Sequence, residues 1–222
     1  MARPVLIINL KNYAEVLGGS TARLVESAER VASRTAVDIM VAPPLPSLSS
    51  IASISRVPVL SQRVDDASEG KSTGAVIPEA LSAWGCAGSI INHSECRTSL
   101  DSLSRMVPRM KKLRLLSCVC AETEKELVPI ARLQPEYVAV EPPELIGTGV
   151  SVSKARPELV SSSVAAAGEA GYTGRVLCGA GIVGADDVRA AVRLGAGGVL
   201  VASSIVKAPD WETKIQELAS AL

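Results

Sequence analysis

The chain contains a single histidine, His93, in the run Asn92-His93-Ser94-Glu95-Cys96-Arg97, directly after a short apolar segment. Asn9 and Lys11 follow the first apolar run, and a carboxylate, Glu141, ends a later one. An imidazole and a carboxylate are the side chains that most often move protons near neutral pH. A lysine supplies a fixed positive charge for an anionic intermediate. Two turns of small residues, Gly179-Ala180-Gly181 and Ala202-Ser203-Ser204, offer backbone N–H groups with little side-chain bulk, which suits a phosphate. Taken singly, each residue has a duller account: a strand-end glutamate in water, a buried structural histidine, a surface lysine. Their meaning rests on whether the fold brings them together.

The elements that must do so are legible as a repeat. Short runs rich in β-branched residues recur at Val5–Leu10, Val37–Ala42, Val57–Ser61, Ser89–Asn92, Leu115–Cys120, Tyr137–Glu141, Arg175–Cys178 and Val199–Ala202. Between them lie longer stretches of helical period. Leu24, Ala28 and Val31 share one face, Leu103, Val107 and Met110 another, and Val188, Ala191 and Val192 a third, which Gly195 closes. Asp101 and Asp210 are expected as N-caps. The third unit is the weakest, with a long polar stretch at 63–77 and a short helix near Pro78–Trp84. Strict alternation predicts a parallel sheet, and eight units predict a closed (β/α)8 barrel in one domain over residues 1–222. Chemistry in such barrels sits at the carboxyl ends of the strands. That rule selects Asn9, Lys11, His93, Glu95 and Glu141, together with the two small-residue turns.

Composition narrows the function classes. The 222 residues carry 23 Lys plus Arg against 23 Asp plus Glu, so no basic field draws the chain to nucleic acid. No apolar run approaches the roughly 18 residues of a membrane span. The apolar start at Val5–Leu10 is too short for a secretory signal and reads as a strand. A cytoplasmic protein is expected. Of the five cysteines no two form a C-x-x-C pair, and with one histidine no zinc site is expected. Phe is absent, so the core must come from Val, Ile, Leu and Ala. No dinucleotide fingerprint follows the first strand, and no cofactor is expected.

Five motifs carry a specific resemblance: Asn9-Leu10-Lys11; Asn92-His93-Ser94-Glu95-Cys96-Arg97; Glu141-Pro142-Pro143-Glu144-Leu145-Ile146-Gly147-Thr148-Gly149; Cys178-Gly179-Ala180-Gly181-Ile182; and Gly198-Val199-Leu200-Val201-Ala202-Ser203-Ser204. In this order, at the ends of the expected strands, they resemble the site motifs of the triosephosphate isomerases, in the short archaeal-type branch. The resemblance implies a TIM barrel that interconverts dihydroxyacetone phosphate and D-glyceraldehyde 3-phosphate without a metal or cofactor. It implies Glu141 as the base that carries a proton between C1 and C2. It implies His93, as a neutral imidazole, as the group that polarises the carbonyl and shuttles a proton between the two substrate oxygens, and Lys11 as the charge that stabilises the enediolate and helps hold the phosphate. Asn9 would donate to a substrate oxygen and Glu95 would support Lys11. Gly181, Ala202 and Ser203 would hold the phosphate through backbone N–H groups. Loop 142–149 would close as a lid, with Ile146 over the substrate and the Gly147 N–H on the phosphate.

The chain departs from the usual pattern in two places. Glu144 stands where most members have a tryptophan, and Cys178-Gly179-Ala180-Gly181 lacks the serine usual after strand seven. The candidate for the family's cysteine after strand five is Cys120, with the register of Cys118-Val119-Cys120-Ala121-Glu122 left open. Loop 65–75, with Lys71-Ser72-Thr73-Gly74, occupies the place of the loop that enters a neighbouring subunit in the family, which implies a homo-oligomer, dimer or tetramer. Two other readings remain: a barrel isomerase or lyase for a larger phosphorylated substrate, and a barrel kept as a binding protein without catalysis.

Overall fold

The computed structural model describes residues 3–142 and 155–222. Eight strands run parallel: β1 Val5–Asn9, β2 Asp38–Ala42, β3 Leu60–Ser61, β4 Gly88–Ile91, β5 Leu116–Ala121, β6 Tyr137–Val140, β7 Arg175–Cys178 and β8 Gly198–Val201. Their order is β2-β1-β8-β7-β6-β5-β4-β3. A parallel bridge between Val41 and Val59 joins the two ends and closes the ring. Each expected strand is present within a residue or two, except the third. Of the run 57–61 only Leu60–Ser61 is strand, because Pro58 can donate no ladder hydrogen bond and serves only as acceptor, from the Val41 N–H at 3.1 Å.

Nine helices cover the barrel among the described residues: α1 Ser20–Ala32, α2 Leu48–Ile54, α3 Pro78–Ala83, α4 Leu100–Lys112, α5 Glu124–Arg132, α6 Pro157–Glu169, α7 Ala185–Arg193, α8 Ser203–Val206 and α9 Trp211–Ala219. Asp210 caps α9 as expected, its carboxylate accepting from the Thr213 N–H at 3.1 Å. The cap of α4 is Ser99 and not Asp101, which lies in the first turn, where its charge favours the helix N-terminus. Val192 is exposed, so the buried face of α7 is carried by Val188 and Ala191.

Alternation along the strands sorts the core into two layers. Val5, Ile7, Met40, Leu60, Ile90, Cys118, Cys120, Tyr137, Ala139, Leu177 and Leu200 fill the inside of the barrel. Leu6, Ile8, Ile39, Val41, Val119, Val138, Val140, Val176 and Val199 face outward into the cluster that holds the buried residues of the helices. A strand with both faces buried needs apolar residues at consecutive positions, which explains the unbroken β-branched runs. It also gives each strand end a direction. Residues that continue the inner parity, Asn9 after Ile7 and Glu141 after Ala139, come out at the top of the barrel axis.

Candidate active site

Asn9, Lys11, His93, Glu141, Gly181, Ala202 and Ser203 line one cavity of about 390 Å³ at the carboxyl end of the barrel. Tyr13, Gly179, Ile182, Ser204 and Lys207 complete much of its wall. Glu95 lies just outside, on an adjoining cavity shared with Lys11 and His93. Ile146, Gly147 and all but the first residue of loop 142–149 fall outside the described residues.

Glu141 follows β6 and is almost wholly buried, at 2% exposure. Its Oε2 has no hydrogen-bond partner among the described residues. Burial disfavours the charged carboxylate and raises its pKa to about 7, against smaller lowering effects from the Cys120 thiol, which hydrogen-bonds it, and the Lys11 charge. The carboxylate fits because residue 179 is glycine: a Cβ there would stand 2.4 Å from Glu141 Cγ.

His93 Nε2 faces Glu141 Oε2 across 3.8 Å, too far for a hydrogen bond. The Glu95 N–H donates to His93 Nδ1 at 3.1 Å. Nδ1 therefore keeps its lone pair, and the one proton of the neutral ring sits on Nε2, aimed into the cavity. Burial, then the Lys11 charge, lowers the imidazole pKa to about 4, so the ring is neutral at physiological pH.

The orientation of His93 depends on the residue before it. Continued alternation from Ile90 would put residue 92 in the barrel and residue 93 outside. Asn92 instead adopts a left-handed backbone, φ 61°, which breaks the alternation. Its side chain stabilises this conformation. Asn92 Nδ2 donates to the Cys120 carbonyl at 2.9 Å and to Glu126 Oε1 at 3.1 Å, and Oδ1 accepts from the Thr98 N–H at 2.9 Å. Arg97 donates to the Asn92 carbonyl at 3.1 Å and pairs with Glu126. The end of β4 is thus clamped to the end of β5.

Lys11 is also left-handed, φ 47°. Asn9 Oδ1 accepts its N–H at 3.1 Å, and Gln62 Nε2 donates to its carbonyl at 3.0 Å. Its ammonium meets Glu95 Oε1 at 2.5 Å, with Glu95 largely exposed. The expected pairing of Lys11 with Glu95 is present. Opposite, Gly181 takes φ 69°, a turn open to glycine, between β7 and the cavity wall.

Sequence reasoning left one supporting group open and passed over three others. Cys120 is the cysteine beside Glu141, which resolves the register left open between Cys118 and Cys120; both sit on the inner face, and only the strand pairing decides which reaches the carboxylate. Gln62, Tyr13 and Glu126 lie in segments that carry no motif. The inner parity of Cys120 was the one available signal.

Comparison with known proteins gives the family. The sequence profile of the family "Triosephosphate isomerase" matches residues 4–218. The chain is 45% identical to the triosephosphate isomerase of Cenarchaeum symbiosum over 223 residues, covering 100% of both chains. It is 45% identical to that of Caldivirga maquilingensis, covering 100% of this chain and 99% of the relative. It is 42% identical to that of Methanocaldococcus jannaschii, covering 96% and 98%. A profile match over nearly the whole barrel, with relatives of the same length throughout, shows that the chain belongs to the triosephosphate isomerase family.

Proposed function

We propose that this protein interconverts dihydroxyacetone phosphate and D-glyceraldehyde 3-phosphate through an enediolate, with Glu141 as base. The observation that carries the reading is the pair across 3.8 Å: a desolvated carboxylate facing the proton-bearing nitrogen of a neutral imidazole.

The proton on a carbon beside a carbonyl is weakly acidic, and its removal places negative charge on the carbonyl oxygen. Glu141 takes that proton. His93 Nε2–H donates to the oxygen as charge develops, and Lys11 offsets the charge that remains. His93 gives its Nε2 proton to that oxygen and takes one from the neighbouring hydroxyl, and the protonated carboxyl returns its proton to the carbon that had carried the carbonyl, so the reaction closes with no net transfer. A base with a pKa near 7 suits this cycle: basic enough to abstract, acidic enough to give back. Asn9 donates to a substrate oxygen, and Glu95 holds the Lys11 ammonium. The phosphate rests against the small residues Gly181, Ala202 and Ser203, which leave room for approach to the backbone. Ile146 and Gly147 act from the lid, closing over the intermediate so that water does not reach it.

We also propose a homo-oligomer. Loop 65–75 is exposed at Lys71, Thr73 and Gly74 and closed at its base by Asp65, whose N–H donates to the Val76 carbonyl at 2.7 Å and whose carboxylate accepts from the Val76 N–H at 2.8 Å. The open cavity beside Lys11, lined by Asn12, Gln62, Arg63 and Cys96, offers a seat for the same loop of a second copy. Among the described residues no helix is long and apolar enough to cross a membrane. All five cysteines are unpaired, which supports a reducing compartment, the cytoplasm.

The direct test is turnover of glyceraldehyde 3-phosphate, with dihydroxyacetone phosphate read through a coupled dehydrogenase in EDTA. Turnover that Glu141→Gln abolishes is the expected result. A folded protein with no turnover would overturn the proposal.

A further inference from the structure

The substrate is a phosphate ester carrying close to two negative charges at neutral pH, yet the fixed charges around the cavity offer it little. The Lys11 ammonium is paired with Glu95 at 2.5 Å, so the two largely cancel at a distance. His93 is neutral and Glu141, when ready to act as base, is negative. An incoming dianion would then meet a net negative pocket.

Lys207 offsets that charge. It lies one residue past α8, on the turn that also presents Ser203 and Ser204, and it lines the same cavity. It is exposed, and among the described residues it makes no ion pair. The carboxylate closest to it in sequence, Asp210, is engaged in the cap of α9. What holds Lys207 is uncharged: its Nζ stands over the Tyr13 ring, 4.9 Å from the centroid, and Tyr13 lines the cavity too. A cation–π contact fixes an ammonium without neutralising it, so its field stays available to an anion.

We infer that Lys207, seated on Tyr13, is the residue that draws the phosphate dianion into the cavity and favours its binding there. The inference rests on the triose phosphate reading of the site. Clefts that focus charge of one sign raise the association rate of oppositely charged ligands, and the gain falls with ionic strength.

The test is Lys207→Met against wild type and Lys207→Arg, in kcat/KM for glyceraldehyde 3-phosphate and in calorimetric affinity for inorganic phosphate. Both are measured at ionic strengths of about 0.01 M and about 0.15 M, between which the screening length falls from roughly 30 to 8 Å. Lys207→Met should lose about three- to tenfold in both quantities at low salt, and the deficit should shrink at the higher. Lys207→Arg should restore most of it, because arginine keeps the charge and stacks on an aromatic face. Wild-type values for Lys207→Met at low salt would overturn the inference, as would a deficit that salt does not diminish. If the wild type turns over no triose phosphate but its phosphate affinity falls in Lys207→Met with the stated salt dependence, the lysine site stands and the substrate reading falls.

Discussion

Glu141 shows what a single residue costs and supplies. Its pKa lies at about 7 because burial disfavours the carboxylate, whereas the ordinary glutamate value is 4.5. Below about pH 4.5 both folded and unfolded chains hold it protonated, and burial costs nothing in charge. As pH rises from about 4.5 to 7 the unfolded chain releases the proton while the folded one retains it. The folded state is therefore progressively penalised, by roughly 3 kcal/mol once the pH exceeds 7. Glu141→Gln should remove that penalty. In urea denaturation the variant should match the wild type near pH 4.5, gain on it up to about pH 7, and hold a constant advantage above. A variant that loses ground as pH rises would mean the carboxylate is not desolvated. His93 works in the opposite sense: its depressed pKa contributes stability above about pH 6.5 that is lost as pH falls toward 4, in both proteins alike. For activity the same ionisation predicts that kcat/KM of the wild type declines below about pH 7, about tenfold per unit, as Glu141 takes up its proton.

At the scale of elements, the strand ends carry the groups proposed to react, and the ends of β4 and β5 set the angle of His93. Asn92 is the joint. An alanine there would keep a left-handed backbone at a cost of about 1–2 kcal/mol and would leave the groups that Asn92 pairs with unsatisfied, at roughly 1–3 kcal/mol more. Asn92→Ala should therefore destabilise the protein by about 2–5 kcal/mol and lower kcat, because His93 is no longer aimed. Asn92→Gly accepts the backbone freely but loses the clamp, so it should be more stable than Asn92→Ala while still impaired in turnover. Urea denaturation and steady-state kinetics of the two variants decide the matter: stability and kcat like the wild type in both would show that the clamp does not position His93. The elements themselves were legible in the sequence wherever β-branched runs were long and uninterrupted, as at Val5–Asn9 or Tyr137–Val140. Where Pro58 interrupts the third run, the strand shrank to two residues. At the start of α4 the cap is Ser99 where Asp101 was expected, because the Ser99 hydroxyl accepts from the Ser102 N–H at 3.2 Å.

For the whole molecule, closure of the ring matters most. Eight parallel strands with both faces buried leave no edge open, and the barrel delivers groups from β1, β4, β6, β7 and β8 to one mouth. The open cavity beside Lys11 is the part of that mouth a second copy could cover, which places the oligomer at this scale. Light scattering on the purified protein should give a particle of at least two chains. Replacing Lys71-Ser72-Thr73-Gly74 with a shorter turn should shift it toward monomer and reduce turnover, because Lys11 and His93 would lose their outer support. A monomer with full activity would sink the proposal.

The sequence by itself determined the barrel and placed Asn9, Lys11, His93 and Glu141 at its mouth. Unbroken apolar runs alternating with stretches of helical period leave little freedom in how eight such units pack, and inner parity carries Asn9 and Glu141 to the top of the axis. Tertiary structure alone decided the rest. No pattern in the chain reveals that Asn92 turns left-handed and swings His93 inward, since that follows from hydrogen bonds to Cys120, Thr98 and Glu126, the first and last more than 25 residues away. Nor does it reveal that Glu141 loses its water, that Gly179 makes room for it, or that Lys207 sits on Tyr13 at the opposite end of the chain. Desolvation and close approach belong to neighbours in space, and they exist only once the ring has closed.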